Sequence, residues 1–253
     1  ENDMDIVLLK SDGFPTYHFA HPIYDTLMGI TLVIRTEEWF ASVPIHYELF
    51  KKLGFKQIEY AHPSPLMKLD NEGKSKRKLS KRKDPEADVQ YYIENGYPNE
   101  AIIEYFLTLA NSNFYDWRIQ NPDVDTNEFQ LKLEKFNKAG ALFDIVKLED
   151  ICKDYIATLS AEEIYERSLN WAREYDEEEA KLLEENKEYC INIFNIERSG
   201  QKIRKDIVKF KDSKEQLRIF FDTFFDEDSY EDISDRVDKD VQKEIVEKYI
   251  DIY

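Results

Sequence analysis

Residues 30–54 read "ITLVIRTEEWFASVPIHYELFKKLG". The opening "ITLVIR" (30–35) is a continuous apolar run of β-formers. A run that is apolar on both faces fits a strand of a parallel sheet, where helices cover both sides. From Val43 the period changes. "VPIHYELFKKLG" (43–54) has a proline near its start, apolar residues at helical spacing and glycine at its end, which predicts a helix. Upstream, "PTYHFAHPIYDTLMG" (15–29) has near-helical spacing and closes on Gly29. "DIVLL" (5–9) is a short β-branched run followed by the turn "SDGFP", and predicts a buried strand. Strand, helix, strand, helix is the alternation of an open parallel sheet.

Residues 63–84 differ. The stretch "HPSPLMKLDNEGKSKRKLSKRKDP" (62–85) holds three prolines and a glycine, with only Leu66, Met67, Leu69 and Leu79 apolar, and predicts a loop between two architectures. From 86 on the pattern is helical. A helix is predicted over 98–112, with Asn99 as its N-cap, and others near 128–138, 146–158, 161–174, 178–195, 199–210, 213–224 and 238–251. No stretch after 85 alternates as a strand. The predicted fold is an α/β part followed by an all-α part, in three segments: 1–84, 85–158 and 159–253.

The 253 residues carry a formal net charge of -18, with 42% hydrophobic and 14% aromatic residues. That apolar content is ample for packed cores and argues against global disorder. No apolar run reaches the roughly 20 residues of a membrane helix, and no signal peptide pattern opens the chain. Cys152 and Cys190 form no CxxC or CxxH spacing, so neither a zinc site nor a disulfide framework is expected. The expectation is a soluble, cytoplasmic monomer. The acidic balance argues against nucleic-acid binding by the whole surface and leaves room for one local basic face. The acidic runs at 174–188 and 226–240 read as a solvated helix face and a solvated loop. The chain opens "ENDMDIVLL" without an initiator Met, which predicts a piece of a longer protein.

Against this acidity stands "KSKRKLSKRKD" (74–84), with seven Lys and Arg in eleven residues. A solvated basic loop is the plain reading. A loop that meets phosphates is the sharper one, since Lys supplies compact, mobile cations. Leu79 would pin such a loop while Lys78 and Lys81 project.

"KLSKR" (78–82) resembles the KMSKR signature of class I aminoacyl-tRNA synthetases. Residues 7–46, "VLLKSDGFPTYHFAHPIYDTLMGITLVIRTEEWFASVPIH", are similar to the second half of the catalytic domain of the glutamyl-tRNA synthetase family. The resemblance continues in order through "YAHPSPLM" (60–67), "KLSKRKD", "YYIENGYPNEAIIEYFLTLA" (91–110) and "AGALFDIVKLEDICKDYI" (139–156). Collinear motifs over residues 5–156 make it specific.

What the resemblance implies follows by position. Tyr17 stands where the family's tyrosine lines the glutamate pocket, with His18 and His21 on the same segment. At His21 the family has Asn, Val or another small residue. Arg35 stands where an arginine pairs the substrate's side-chain carboxylate, a match of planar fork to carboxylate. Related glutaminyl enzymes carry a small uncharged residue there. Glu38 aligns near the ATP ribose, and Leu66 and Met67 with the segment that holds adenine through backbone groups. Lys78, Ser80, Lys81 and Arg82 are the signature residues, with Lys81 on the ATP phosphates and Ser80 adding a hydroxyl or backbone donor.

The resemblance thus implies a glutamate–tRNA ligase of bacterial type with ATP, its Mg2+, glutamate and tRNA(Glu) as partners, and no zinc. The other class I signature, H-I-G-H, is absent, so the chain by itself is expected to be inactive in adenylate formation. Two other readings stay open. One is a ligase that also charges tRNA(Gln). The other is a non-catalytic relative that binds RNA or a partner. The part from 158 to 253 resembles the family's helical anticodon-binding region more loosely. Its candidate RNA face is "ERSGQKIRKDIVKFK" (197–211), where basic residues recur at helical spacing; a solvated helix face fits the same pattern.

Overall fold

The strand predicted over 30–35 forms as β1 (Leu32–Ile34) and pairs in parallel with β2 (Glu59–Ala61), Val33 opposite Tyr60. Parallel neighbours need a crossover, and α2 (Val43–Lys52) supplies it. α1 (Tyr17–Leu27) precedes β1 and packs on α2. The two helices bury His21, Pro22, His46, Leu49 and Phe50. Both end as expected in left-handed glycines, Gly29 at φ +69° and Gly54 at φ +73°, where a Cβ would be strained. The structure, a computed structural model, describes residues 5–222 except 71, 72, 74, 123, 138 and 201, together with 224, 241 and 243. The helix predicted over 238–251 lies outside the described residues but for 241 and 243.

The chain divides into two compact units, Glu1–Thr158 and Leu159–Tyr253. In the first, the strand predicted over 5–9 does not form. Its backbone groups are satisfied locally: Thr16 N–H donates to the Leu8 carbonyl (2.8 Å), Lys10 N–H to Phe14 (2.9 Å), and Leu9 makes one antiparallel bridge with Pro15. An apolar run becomes a strand only where a sheet edge accepts its ladder. Here Val7 and Leu9 stay exposed.

The region predicted as a loop, 63–84, contains a hairpin. β3 (Met67–Leu69) pairs antiparallel with β4 (Lys76–Lys78), Met67 opposite Lys78 and Leu69 opposite Lys76. The basic residues of β4 mask a β pattern that only the pairing reveals. Asp70 closes the turn, its carboxylate accepting from Ser75 N–H at 3.2 Å. The hairpin is tied to later residues: Met67 N–H donates to Ala141 (2.8 Å) and Phe143 N–H to Met67 (2.7 Å). Gly140 permits that approach. At φ +64° a Cβ there would stand 2.8 Å from Met67 Cγ.

Helices α3 (Val89–Glu94), α4 (Asn99–Ala110), α5 (Phe114–Gln120) and α6 (Ile145–Thr158) complete this unit. Asn99 falls on the first helical residue of α4, and Pro98 takes the N-cap position assigned to Asn99 from sequence. The helix predicted over 128–138 is replaced by 3-10 turns at Thr126–Glu128 and Leu133–Lys135. Its backbone bonds go to the end of α4 instead: Ser112 N–H to Lys135 (3.0 Å) and Asn137 N–H to Ala110 (3.1 Å). Tertiary pairing outweighs local helical preference there.

The second unit contains α7 (Ala161–Tyr175), α8 (Glu177–Glu185), α9 (Lys187–Phe194) and α10 (Ser213–Leu217). The single helix predicted over 178–195 breaks at Asn186, whose amide donates to the Leu182 carbonyl at 3.0 Å. The helix predicted over 213–224 stops at Leu217 and continues as a 3-10 turn, Arg218–Phe220. No helix forms over 202–209, so the basic residues there do not share a helical face. Gly200 at φ +107° turns the chain, and burial of Ile207 and Phe210 fixes an irregular path. Arg198 donates to the Phe194 carbonyl (2.7 Å), and Arg204 pairs with Asp206 (2.5 Å). These two cations are committed within the fold.

Glu179 of α8 is fully buried, and its Oε1 lies 2.6 Å from Ser213 Oγ. The Ser213 hydroxyl also contacts the Phe210 carbonyl. A hydroxyl has one hydrogen and a carbonyl can only accept. Ser213 therefore donates to Phe210, and a protonated Glu179 donates to Ser213. Burial pushes the Glu179 carboxyl up to about 7. A raised carboxyl stabilises the fold fully below its unfolded value near 4.5 and ceases to as pH climbs through about 7. Urea titrations should record a loss approaching about 3 kcal/mol across that window. Glu179→Gln should flatten the pH dependence; an unchanged slope in that variant would refute the protonated carboxyl.

Candidate active site

Arg35 follows β1 directly, and its backbone N–H donates to Ala61 (3.1 Å), which fixes where its side chain leaves the sheet. The guanidinium donates to Tyr17 Oη (3.2 Å, from Nη1) and to His62 Nε2 (3.4 Å, from Nε), while Nη2 sits 3.2 Å from His46 Nδ1. It lies over the rings of Tyr60 (4.9 Å) and Trp39 (5.5 Å). Every partner is neutral, and Arg35 pairs with no carboxylate among the described residues. Of the five N–H donors of a guanidinium, these bonds use three. Two remain, the number a bidentate carboxylate takes.

The surrounding rings are locked to one another. His18 Nδ1 lies 3.0 Å from His46 Nε2. His21 Nε2 lies 2.7 Å from Tyr60 Oη, and its Nδ1 2.7 Å from Asp25 Oδ2. Tyr17 stacks on His21 at 5.7 Å. Burial lowers the proton affinity of His46 to about 3, helped by the charges of His21, Arg35 and His18. His21 and His62 are also lowered, chiefly by burial, with Asp25 opposing the shift at His21. Burial raises Tyr60 to about 12. His21, His46 and His62 therefore favour the neutral form beside Arg35 at neutral pH.

Of the residues assigned to this pocket from sequence, Tyr17, His18 and Arg35 come together. His21 joins them as a support only. It is buried beneath Tyr17 with both ring nitrogens occupied, so it offers a ligand none. His46, Tyr60, His62 and Trp39 complete the cradle and were not singled out from sequence. Tyr60 and His62 carry a signal in retrospect: residues two apart along an extended segment share a face.

The second half of the site is the hairpin and the loop after it. Lys78, at the end of β4, pairs with Glu38 (2.6 Å), and Thr36 Oγ1 donates to the other Glu38 oxygen (3.3 Å). The bond from Lys78 holds the Glu38 carboxyl below its usual range. Lys81 is exposed and pairs with no carboxylate among the described residues; Arg82 is exposed beside it.

Asp84 shapes the loop. It is 2% exposed and takes both Nη atoms of Arg77 at 2.6 Å, while Ser80 N–H donates to its Oδ2 at 2.9 Å. The Arg77 bonds hold its carboxyl far below the usual carboxylate range despite burial. Ser80 thus has its backbone donor spent and can offer a ligand only its hydroxyl. Met67 likewise has its N–H and carbonyl committed to Ala141 and Phe143. This departs from the backbone contact to adenine expected at Met67, since both of its backbone groups are taken. The Leu66 carbonyl accepts from Leu79 N–H (2.9 Å), so the backbone as well as the side chain pins the loop. A cavity of about 590 Å³, lined by Leu66, Leu79, Tyr92, Ile102 and Phe106, leaves room beneath it.

Asp84→Ala should cost more than about 1 kcal/mol in urea denaturation, because it removes the buried acceptor of the Ser80 N–H and of the half-exposed Arg77. A change below about 0.5 kcal/mol, the size of an ordinary surface substitution, would overturn the anchoring role.

Comparison with known proteins gives a consistent picture. The sequence profile of class I tRNA synthetases (E and Q), catalytic domain, matches residues 1–150. The glutamate–tRNA ligase of Clostridium perfringens (strain 13 / Type A) is 46% identical over the whole chain, which spans 46% of that protein. The Clostridium beijerinckii ligase is 51% identical over 98% of the chain and 45% of its own length. A crystal structure of a glutamate tRNA ligase from Elizabethkingia meningosepticum, in complex with its amino acid, superposes with a TM-score of 0.64 at 30% identity, over 88% of this chain and 44% of that one. The chain therefore spans less than half the length of these relatives.

Proposed function

The chain belongs to the family of class I tRNA synthetases for glutamate and glutamine, and on that footing we propose that it supplies the glutamate pocket and the signature-loop wall of a glutamate–tRNA ligase. One observation carries the reading: the Arg35 guanidinium is held by neutral partners with two donors left over. Such a site attracts a carboxylate and has nothing comparable to offer a carboxamide.

In the proposed reaction the α-carboxylate of glutamate attacks the α-phosphate of ATP. A P–O bond forms, the bond to the pyrophosphate leaving group breaks, and glutamyl-adenylate results. The terminal ribose hydroxyl of tRNA then attacks the acyl carbon and releases AMP. Arg35 fixes the side-chain carboxylate, and Tyr17 with the imidazoles fixes Arg35. Lys81 meets the charge that develops on the phosphates, with the Ser80 hydroxyl and Arg82 beside it, and Glu38 and Leu66 face the nucleoside. Pre-set geometry and charge supply most of the rate in such chemistry. Mg2+ enters with ATP as part of that substrate; among the described residues no three His, Cys, Asp or Glu side chains could hold a metal. The helical residues of the second unit are assigned to tRNA, tRNA(Glu) foremost.

The test is ATP–pyrophosphate exchange by the whole protein with glutamate or glutamine as the amino acid. Exchange with glutamate in strong preference supports the reading. Equal exchange with both, or none with either, overturns it.

A further inference from the structure

His46, on α2, is fully buried, yet it is polar. Its two bonds fix its state. Arg35 Nη2 carries only hydrogens, so the His46 Nδ1 it approaches at 3.2 Å must be the acceptor. The imidazole hydrogen then sits on Nε2 and donates to His18 Nδ1 at 3.0 Å. The bonds run one way, from Arg35 through His46 to His18, and join the end of β1 to α2 and α1.

We propose that His46 is a positioning residue for the glutamate pocket, aiming the Arg35 fork through Nδ1 while Nε2 anchors the ring to His18. The proposal rests on the reading that Arg35 receives the side-chain carboxylate. The position has narrow requirements. A carboxylate at 46 would pair with Arg35 and compete with the ligand. An apolar side chain would free one arm of the fork to rotate. A neutral imidazole accepts from Arg35 without cancelling its charge, and its far nitrogen prevents the ring from turning. Burial first, and then the groups facing it, keep it neutral. Arg35, His18 and His21 surround it, with Tyr17 and Tyr60 at ring distances of 5.9 and 6.3 Å. The carboxylate in the cluster, Asp25, touches His21 instead.

Two measurements test this. In long-range proton–nitrogen NMR of the 253-residue chain, His46 should show a bare Nδ1 and a protonated Nε2 down to about pH 5, well below an ordinary histidine pKa. A proton on Nδ1 would overturn the proposal, and this measurement needs no variant to fold. In exchange kinetics of the whole protein, His46→Leu should raise KM for glutamate by about tenfold or more, the scale of one lost bond to a charged group, and leave KM for ATP unchanged. His46→Asn, whose amide oxygen can stand where Nδ1 stood, should recover most of that loss. His46→Gln, which reaches toward the Nε2 position, should not. Equal behaviour of the Leu and Asn variants would mean the role is packing alone. Should Arg35→Gln leave KM for glutamate unchanged, the glutamate reading itself fails. Should it lose glutamate while His46→Leu does not, only the positioning role fails.

Discussion

Arg35→Gln is expected to lower kcat/KM for glutamate by about two orders of magnitude or more in pyrophosphate exchange, as follows from losing a bidentate charge-assisted pair. Most of the loss should appear in KM. The side-chain carboxylate lies away from the reacting α-carboxylate, so its contact is made equally in ground and transition states. Glutamine should lose far less, since a carboxamide gains little from a guanidinium. The folded state should tolerate the change: Tyr17, His46 and His62 are neutral and would keep contact with each other or with water. Unchanged use of glutamate in a folded Arg35→Gln protein would remove the central assignment made here.

Lys81→Ala should cut kcat for exchange by about two orders of magnitude with little effect on KM for glutamate, comparable with loss of a preorganised transition-state donor. Lys78→Ala should cost less. The two signature lysines are not equivalent in the structure, because Lys78 is paired to Glu38 at 2.6 Å while Lys81 faces solvent without a carboxylate partner among the described residues. A cation already balanced by a carboxylate offers less to an incoming phosphate. Rate measurements on both single variants check the ranking. A larger loss at Lys78 would mean that the pair opens during the reaction and that Glu38 holds Lys78 in reserve.

Much of the fold was legible because it depends on local period. Gly29 and Gly54 mark the ends of α1 and α2, and "ITLVIR" marks β1, since each reflects what a few neighbouring residues do. The failures have one cause. Residues 5–9, 67–69, 76–78, 128–137 and 202–209 take their form from partners distant in the chain or from turns, and composition does not name those partners. The Asn186 break is of the same kind, a side chain competing with the helix for a carbonyl. At the candidate site, the resemblance named Tyr17, Arg35 and Lys81. Asp84 was not singled out, because an acid closing a basic run looks like an ordinary counter-charge until its burial is seen.

The sequence by itself singled out the charges: one arginine closing an apolar run of β-formers, and a cluster of lysines in a stretch that reads as a loop. It could do so because the chemistry of carboxylate and phosphate recognition selects residue type, and type is written in the chain. Only the tertiary structure decided which of those charges are free. Arg77 is consumed by Asp84 and Lys78 by Glu38, whereas Arg35 is left with neutral neighbours. Whether a charge is spent depends on distances of a few ångströms between residues far apart in sequence, and those distances exist only once the chain has folded.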